Sequence, residues 1–118
     1  MVSTVRAKVD PSYSSIDVIR NSFPMGSMTG APKYRAMQVI DEVEMSRRGI
    51  FSGTIGYFSP DGDFDFNVVI RSVLYQEKER YLSFTSGGAI TFDSDPEAEF
   101  EETLLKGARI GELLFQYR

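Results

Sequence analysis

Apolar and polar residues alternate from Val2 to Val9, and this period of two predicts a short N-terminal strand ended by Asp10-Pro11. Ser14 or Ser15 then caps a short helix through Ile16, Val18 and Ile19, which runs out before the Phe23-Pro24 breaker. After a loop at Gly26–Lys33, Ala36, Val39, Ile40 and Val43 recur on one helical face, while Arg35, Gln38, Asp41 and Glu42 take the other side. This amphipathic helix is expected to stop near Arg47-Arg48-Gly49, with basic residues in its last turn and a glycine just past it.

Ile50–Phe58 and Phe64–Tyr75 are rich in β-branched and aromatic residues, and Ser59-Pro60-Asp61-Gly62 between them predicts a β-hairpin. A second turn at Gln76–Arg80 leads to a third strand, Tyr81–Thr91, interrupted by Gly87-Gly88. Ser94 and Glu97 are spaced as a capping box with Pro96 in the first turn, and the last helix is expected to run to about Gln116. Its stripe of Phe100, Leu104, Gly107, Ala108 and Gly111 suits a close approach to a sheet. The predicted class is α+β: an antiparallel sheet of three main strands plus the N-terminal strand, packed with helices.

With 118 residues, 42% of them hydrophobic, the chain reads as one domain over 1–118 that buries about two-thirds of its unfolded surface. Its 13 basic and 17 acidic residues include no clustered basic stretch, which argues against a nucleic-acid surface. The absence of cysteine and histidine removes disulfides, thiolate metal sites and the commonest general base. Chemistry is left to carboxylates, lysine, arginine and hydroxyls, and a metal to a hard cation held by oxygen. No basic segment with an apolar core opens the chain and no apolar run nears bilayer-spanning length, so a soluble cytoplasmic protein is expected.

Four features remain as candidate chemistry. In Gly26-Ser27-Met28-Thr29-Gly30-Ala31-Pro32-Lys33, glycines and hydroxyls precede a helix start, as in a loop that meets an anion. Its order is not that of a P-loop, and Ser27 and Thr29 either donate to a ligand or satisfy nearby backbone. Glu99, Glu102 and Lys106 stand at i, i+3 and i+7, which supplies either half of a magnesium site or a solvated acidic face with a Glu102–Lys106 pair. Arg71 shares a polar strand face with Asp65 and Asn67, opposite Phe66, Val68 and Ile70, as a carboxylate clamp or an ordinary exposed arginine. Gly87-Gly88-Ala89 marks a bulge or a close approach of backbone to ligand.

Taken together, GSMTGAPK at 26–33, RRGIFSGTIGY at 47–57, DGDFDFNVVIRS at 61–72 and DSDPEAEFEETLLK at 93–106 resemble the chorismate-utilising enzymes. The resemblance spans nearly the whole chain and only the C-terminal part of that family's longer catalytic domain, an anthranilate synthase-like α/β sandwich. It implies an incomplete domain whose further metal ligand and other catalytic residues lie upstream of Met1. It implies Mg²⁺ as cofactor, with Glu102 as ligand and Glu99 serving the metal shell through water. Lys106 is implied near a substrate carboxylate, Arg71 on the enolpyruvyl carboxylate, Ser27 in the pocket lining, and Gly87, Gly88 and Ala89 against the substrate through their backbone.

Two departures go with it. Phe51 stands where many members have a tyrosine whose hydroxyl helps hold the enolpyruvyl carboxylate, and Ala89 stands where the family usually ends in glycine. Within the family, GSMTGAPK and DFDFN are most similar to component I of the aminodeoxychorismate-forming branch, which makes a folate precursor. The anthranilate-forming branch is the alternative, and a non-catalytic assembly or ligand-binding piece is a further one. The implied partners are chorismate, a glutamine amidotransferase subunit that supplies ammonia and, through exposed strand edges, a second copy of the chain. The 118 residues alone are expected to be inactive.

Overall fold

The computed structural model describes residues 3–115. Residues 3–10 are extended without strand pairing, with Val5 and Val9 exposed, so the predicted N-terminal strand is absent there; Val2 lies outside the described residues. Alternation favours a strand only when a neighbour takes up its backbone groups, and none does here. Helix α1 (Ser15–Ser22) starts where the Ser14 hydroxyl accepts the Asp17 N–H and the Asp17 carboxylate takes the Ser14 N–H, a reciprocal capping box. It ends at Phe23, held extended ahead of Pro24.

The glycine loop contains a single helical turn, α2 (Gly26–Thr29), before α3 (Lys33–Val43), for which Pro32 is the N-cap. Helix α3 ends before Arg47-Arg48-Gly49, because Glu44 turns extended and the chain reverses through Gly49 at φ +60°. Strands β1 (Thr54–Phe58) and β2 (Phe64–Val68) pair antiparallel with Thr54 opposite Val68 and Phe58 opposite Phe64. Their turn is closed by Ser59 N–H to Asp63 O at 2.7 Å, with Gly62 at φ +95°. The Phe58, Phe64 and Phe66 rings cluster at centroid distances of 5.3–6.0 Å, and Phe66 lies over Gly56, where a side chain would collide with it.

The predicted strand from Phe64 to Tyr75 is broken in two. Ile70 N–H turns back to Val68 O at 3.0 Å, the Ser72 hydroxyl donates to Ile70 O at 3.0 Å, and Arg71 between them has φ +52°. Pairing resumes with β3 (Val73–Gln76) against β4 (Tyr81–Phe84), Val73 opposite Phe84. Two separate hairpins therefore stand where one three-stranded sheet was expected. Strand β4 stops at Phe84, so Gly87, Gly88 and Ala89 belong to an irregular segment beside α4 (Pro96–Phe115) rather than to a strand. Asp95, not Ser94, caps α4, accepting N–H groups of Glu97 and Ala98 at 3.0 and 2.9 Å. The predicted end at Gln116 lies outside the described residues.

Packing is sparse. Among the described residues Val69, at 3% exposure, and Ser52, at 6%, are buried, while Phe100 and Leu104 on α4 are exposed and Gly107 meets only the edge of the Phe84 ring. The accessible surface is 10677 Å², against about 6,500 Å² for a compact protein of this mass. The radius of gyration is 17.2 Å, against about 13.5 Å for a compact chain of this length. The expected two-thirds burial is not reached, because the apolar faces of both hairpins and of α4 have no layer packed against them.

Candidate functional site

Asp95 and Pro96 fix the start of α4, and the helical period then lines up Glu99, Glu102 and Lys106. The Lys106 ammonium pairs with Glu102 Oε1 at 2.7 Å and donates to the Gly87 carbonyl at 3.3 Å. Glu99 accepts from the Ser94 hydroxyl at 3.1 Å, and Ser86 donates to the Thr103 carbonyl at 3.2 Å, so residues 86–88 run along the same helix face. A Cβ on Gly88 would stand 3.2 Å from Glu99 Oε2 and from Thr103 Oγ1, so the approach is one that glycine makes easily. A Cβ on Gly87 would stand 3.9 Å from the Phe51 ring. Phe51, Gly87, Gly88, Glu99, Glu102 and Lys106 thus come together, with Ala89 exposed just beyond.

The exposed Glu102–Lys106 pair by itself stabilises the chain by only about 0–1 kcal/mol. Its interest is chemical. Among the described residues no three acidic side chains converge as a metal cage. Two hard carboxylates on one helix face still fit Mg²⁺, which takes one or two protein carboxylates and fills its shell with water and substrate oxygens.

The other candidates stand apart. Ser27 lies exposed in α2, while the Thr29 hydroxyl donates to Met25 O at 3.0 Å and so serves the backbone. Arg71 is exposed at the corner between the hairpins rather than on a flat strand face, and it makes no hydrogen bond or ion pair among the described residues. Its left-handed backbone costs on the order of 1 kcal/mol, a conformation found disproportionately at functional sites.

Arg48, read in the sequence only as a last-turn charge, occupies a junction. Its Nε lies 2.9 Å and 3.1 Å from the two Glu44 oxygens and its Nη2 also reaches Glu44, while Nη1 donates to Met28 O at 2.8 Å and to Ser52 Oγ at 3.3 Å. The hydrogen bonds with Glu44 hold the Glu44 carboxyl below its ordinary range and push the Arg48 guanidinium up. Ser52, at φ +71°, donates its N–H to Val69 O at 2.9 Å, and Val69 returns its own to Gly53 O at 3.0 Å. A mostly apolar cavity of about 550 Å³ opens beside this junction, lined by Tyr34, Met37, Ile40, Arg48 and Phe51 among others. Phe51 and Thr29 are the sequence candidates in that lining.

A model of the chorismate binding enzymes matches residues 1–112. The chain belongs to the chorismate binding enzyme family. It is 50% identical over 106 residues to the chloroplastic aminodeoxychorismate synthase of Arabidopsis thaliana, covering 90% of the chain and 11% of that protein. It is 46% identical over 110 residues to aminodeoxychorismate synthase component 1 of Salmonella typhimurium, covering 93% of the chain and 24% of that protein. Anthranilate synthase component 1 of Aquifex aeolicus is 42% identical over 106 residues, 90% of the chain and 21% of that protein. The chain thus spans about a tenth to a quarter of the length of these relatives. Among its described residues, this member of the family has no helix long and apolar enough to cross a membrane.

Proposed function

We propose that the chain forms one wall of the active site of an aminodeoxychorismate synthase component I, an Mg²⁺-dependent enzyme that joins chorismate and ammonia. In that reaction the C4–O bond of chorismate breaks, a C4–N bond to ammonia forms, and water leaves. The observation that carries the reading is the convergence on α4, where Lys106 ties the Glu102 carboxylate to the Gly87 backbone beside Phe51. It puts a metal-ligand type, a cation and an exposed glycine backbone against one another, which are the groups a dicarboxylate substrate needs. The aminodeoxychorismate synthase relatives support the choice of reaction.

Glu102 would hold Mg²⁺ and Glu99 would support its water shell, and the bound ion would supply Lewis-acid positive charge to the site. Lys106, already anchored to Gly87, balances charge around the substrate carboxylate. The Arg71 guanidinium clamps the enolpyruvyl carboxylate, and Ser27 and the backbone of Gly87 to Ala89 line the pocket, so these residues position and do not transfer protons. Phe51 offers an apolar ring without a hydroxyl, which leaves that carboxylate more dependent on Arg71. Ammonia comes from a glutamine amidotransferase subunit.

The test replaces the matching segment of the Salmonella typhimurium component 1 with this chain and supplies chorismate, Mg²⁺ and ammonium. Formation of 4-amino-4-deoxychorismate, identified by mass, is expected; no consumption of chorismate would overturn the reading. Anthranilate as product would establish the second reading, which the Aquifex aeolicus relative favours. The 118 residues alone are expected to leave chorismate unchanged. With this much apolar surface open, they are also expected to self-associate, and light scattering that gave a monomer mass at high concentration would refute that.

A further inference from the structure

Three parts of the chain that are distant in sequence meet at a single side chain. The guanidinium of Arg48 presents five donors in a rigid fork, and here the fork is spread over three acceptors from three segments: the Glu44 carboxylate after α3, the Met28 carbonyl in α2, and the Ser52 hydroxyl in the turn before β1. The Met28 carbonyl belongs to a helix of one turn, so it has no full intrahelical ladder to satisfy it. Ser52 and Val69, the two buried residues among those described, are bound to each other through Ser52 N–H to Val69 O. Val69 leads directly through Ile70 to Arg71, and Ser52 directly follows Phe51. The best packed point of an otherwise open molecule therefore lies between the segment carrying Ser27 and the segments carrying Phe51 and Arg71.

We propose that Arg48 is a positioning residue that locks the Ser27 turn to the Phe51 turn and to the β2 end that carries Arg71, so that these groups address one substrate together. The role rests on the chorismate-pocket reading for its purpose, while the lock itself is a property of the chain. Lysine cannot replace the arginine, since one ammonium on a flexible stem cannot span all three acceptors in fixed directions. Strain at Ser52, held at φ +71°, persists because neighbours on both sides over-determine it, and Arg48 is one of them.

The experiment is amide hydrogen exchange followed residue by residue by NMR on the 118-residue chain, with Arg48→Met and Arg48→Lys. Both variants are expected to speed exchange about tenfold at Thr29 and Gly30 and, together with them, at Ser52 and Val69, while the β3–β4 hairpin keeps its wild-type rates. Unchanged rates at either patch, or restoration of both patches by lysine, would overturn the lock. The purpose is read in the Salmonella typhimurium component 1 carrying this segment, where both variants are expected to raise KM for chorismate about tenfold with a smaller change in kcat, and an unchanged KM would overturn the positioning role. Failure of the unsubstituted hybrid to consume chorismate counts against the chorismate-pocket reading, and the exchange rates still decide the lock.

Discussion

The junction around Arg48 and the face of α4 are held by opposite means. At the first, one guanidinium, a buried serine and a buried valine knit α2 to the segments that follow α3 and β2. At the second, a half-buried lysine and two hydroxyls pin a glycine segment to a helix whose apolar residues Phe100 and Leu104 remain open to solvent. The first region has structure with little reactive chemistry, and the second has reactive chemistry with little structure. Stability and activity should therefore separate under mutation.

The sharpest break is Glu102→Gln, assayed in the Salmonella typhimurium enzyme carrying this segment. It removes the proposed Mg²⁺ ligand and an ion pair, so turnover should fall about 100-fold or more while the melting temperature barely moves. Equal losses of turnover and stability would erase the contrast. In the same enzyme Arg71→Ala should raise KM for chorismate about 10–100-fold, the loss of a charge-assisted pair of hydrogen bonds, with a smaller effect on kcat. An unaltered KM would leave Arg71 an ordinary corner residue.

Smaller effects fall on the knitted side. Gly56→Ala drives a methyl into the Asp65 carbonyl and the Phe66 ring, and denaturant unfolding should report a loss of about 1–3 kcal/mol. A neutral result would mean that the β1–β2 hairpin yields as easily as the segment on α4. The mildest probe is acid. The Glu44 carboxyl is held below its ordinary range by Arg48, so its stabilisation is complete above the unfolded value, about pH 4.3, and is lost as pH falls through the lower folded value. Amide shifts at residues 28–30 should move in that acid window in wild type and not in Glu44→Gln.

Local chemistry was largely legible in the sequence where the deciding partners are close neighbours. The Ser14 cap, the presence of helices α3 and α4 though not the packing of their apolar faces, both hairpin turns and the Glu102–Lys106 pair all depend on residues within a few positions of each other. The long strand through Arg71 was not, because alternation continues past Val68 while the backbone turns back at Val69; the sequence carries no glycine or proline to mark that corner. The N-terminal alternation misled for the converse reason: a pattern can exist without a partner strand. Arg48 was missed because its acceptors, Met28 and Ser52, are joined to it by the fold. The available signals were the Arg47-Arg48 doublet and the i,i+4 spacing of Glu44 and Arg48, and each has a simpler explanation as charge near a helix end.

The Arg48 junction also sets an order of events during folding. Its parts come from residues 28, 44, 48, 52 and 69, so although Arg48 meets Glu44 and Ser52 locally, the chain must close loops of about 20 residues before Met28 and Val69 join them. Such closures cost entropy in advance of contact and slow folding relative to the local turns of α1 or the hairpins. On a growing chain the junction cannot assemble until Val69 has been synthesised, so the Ser27 turn waits for residues 28–69 before it acquires its place.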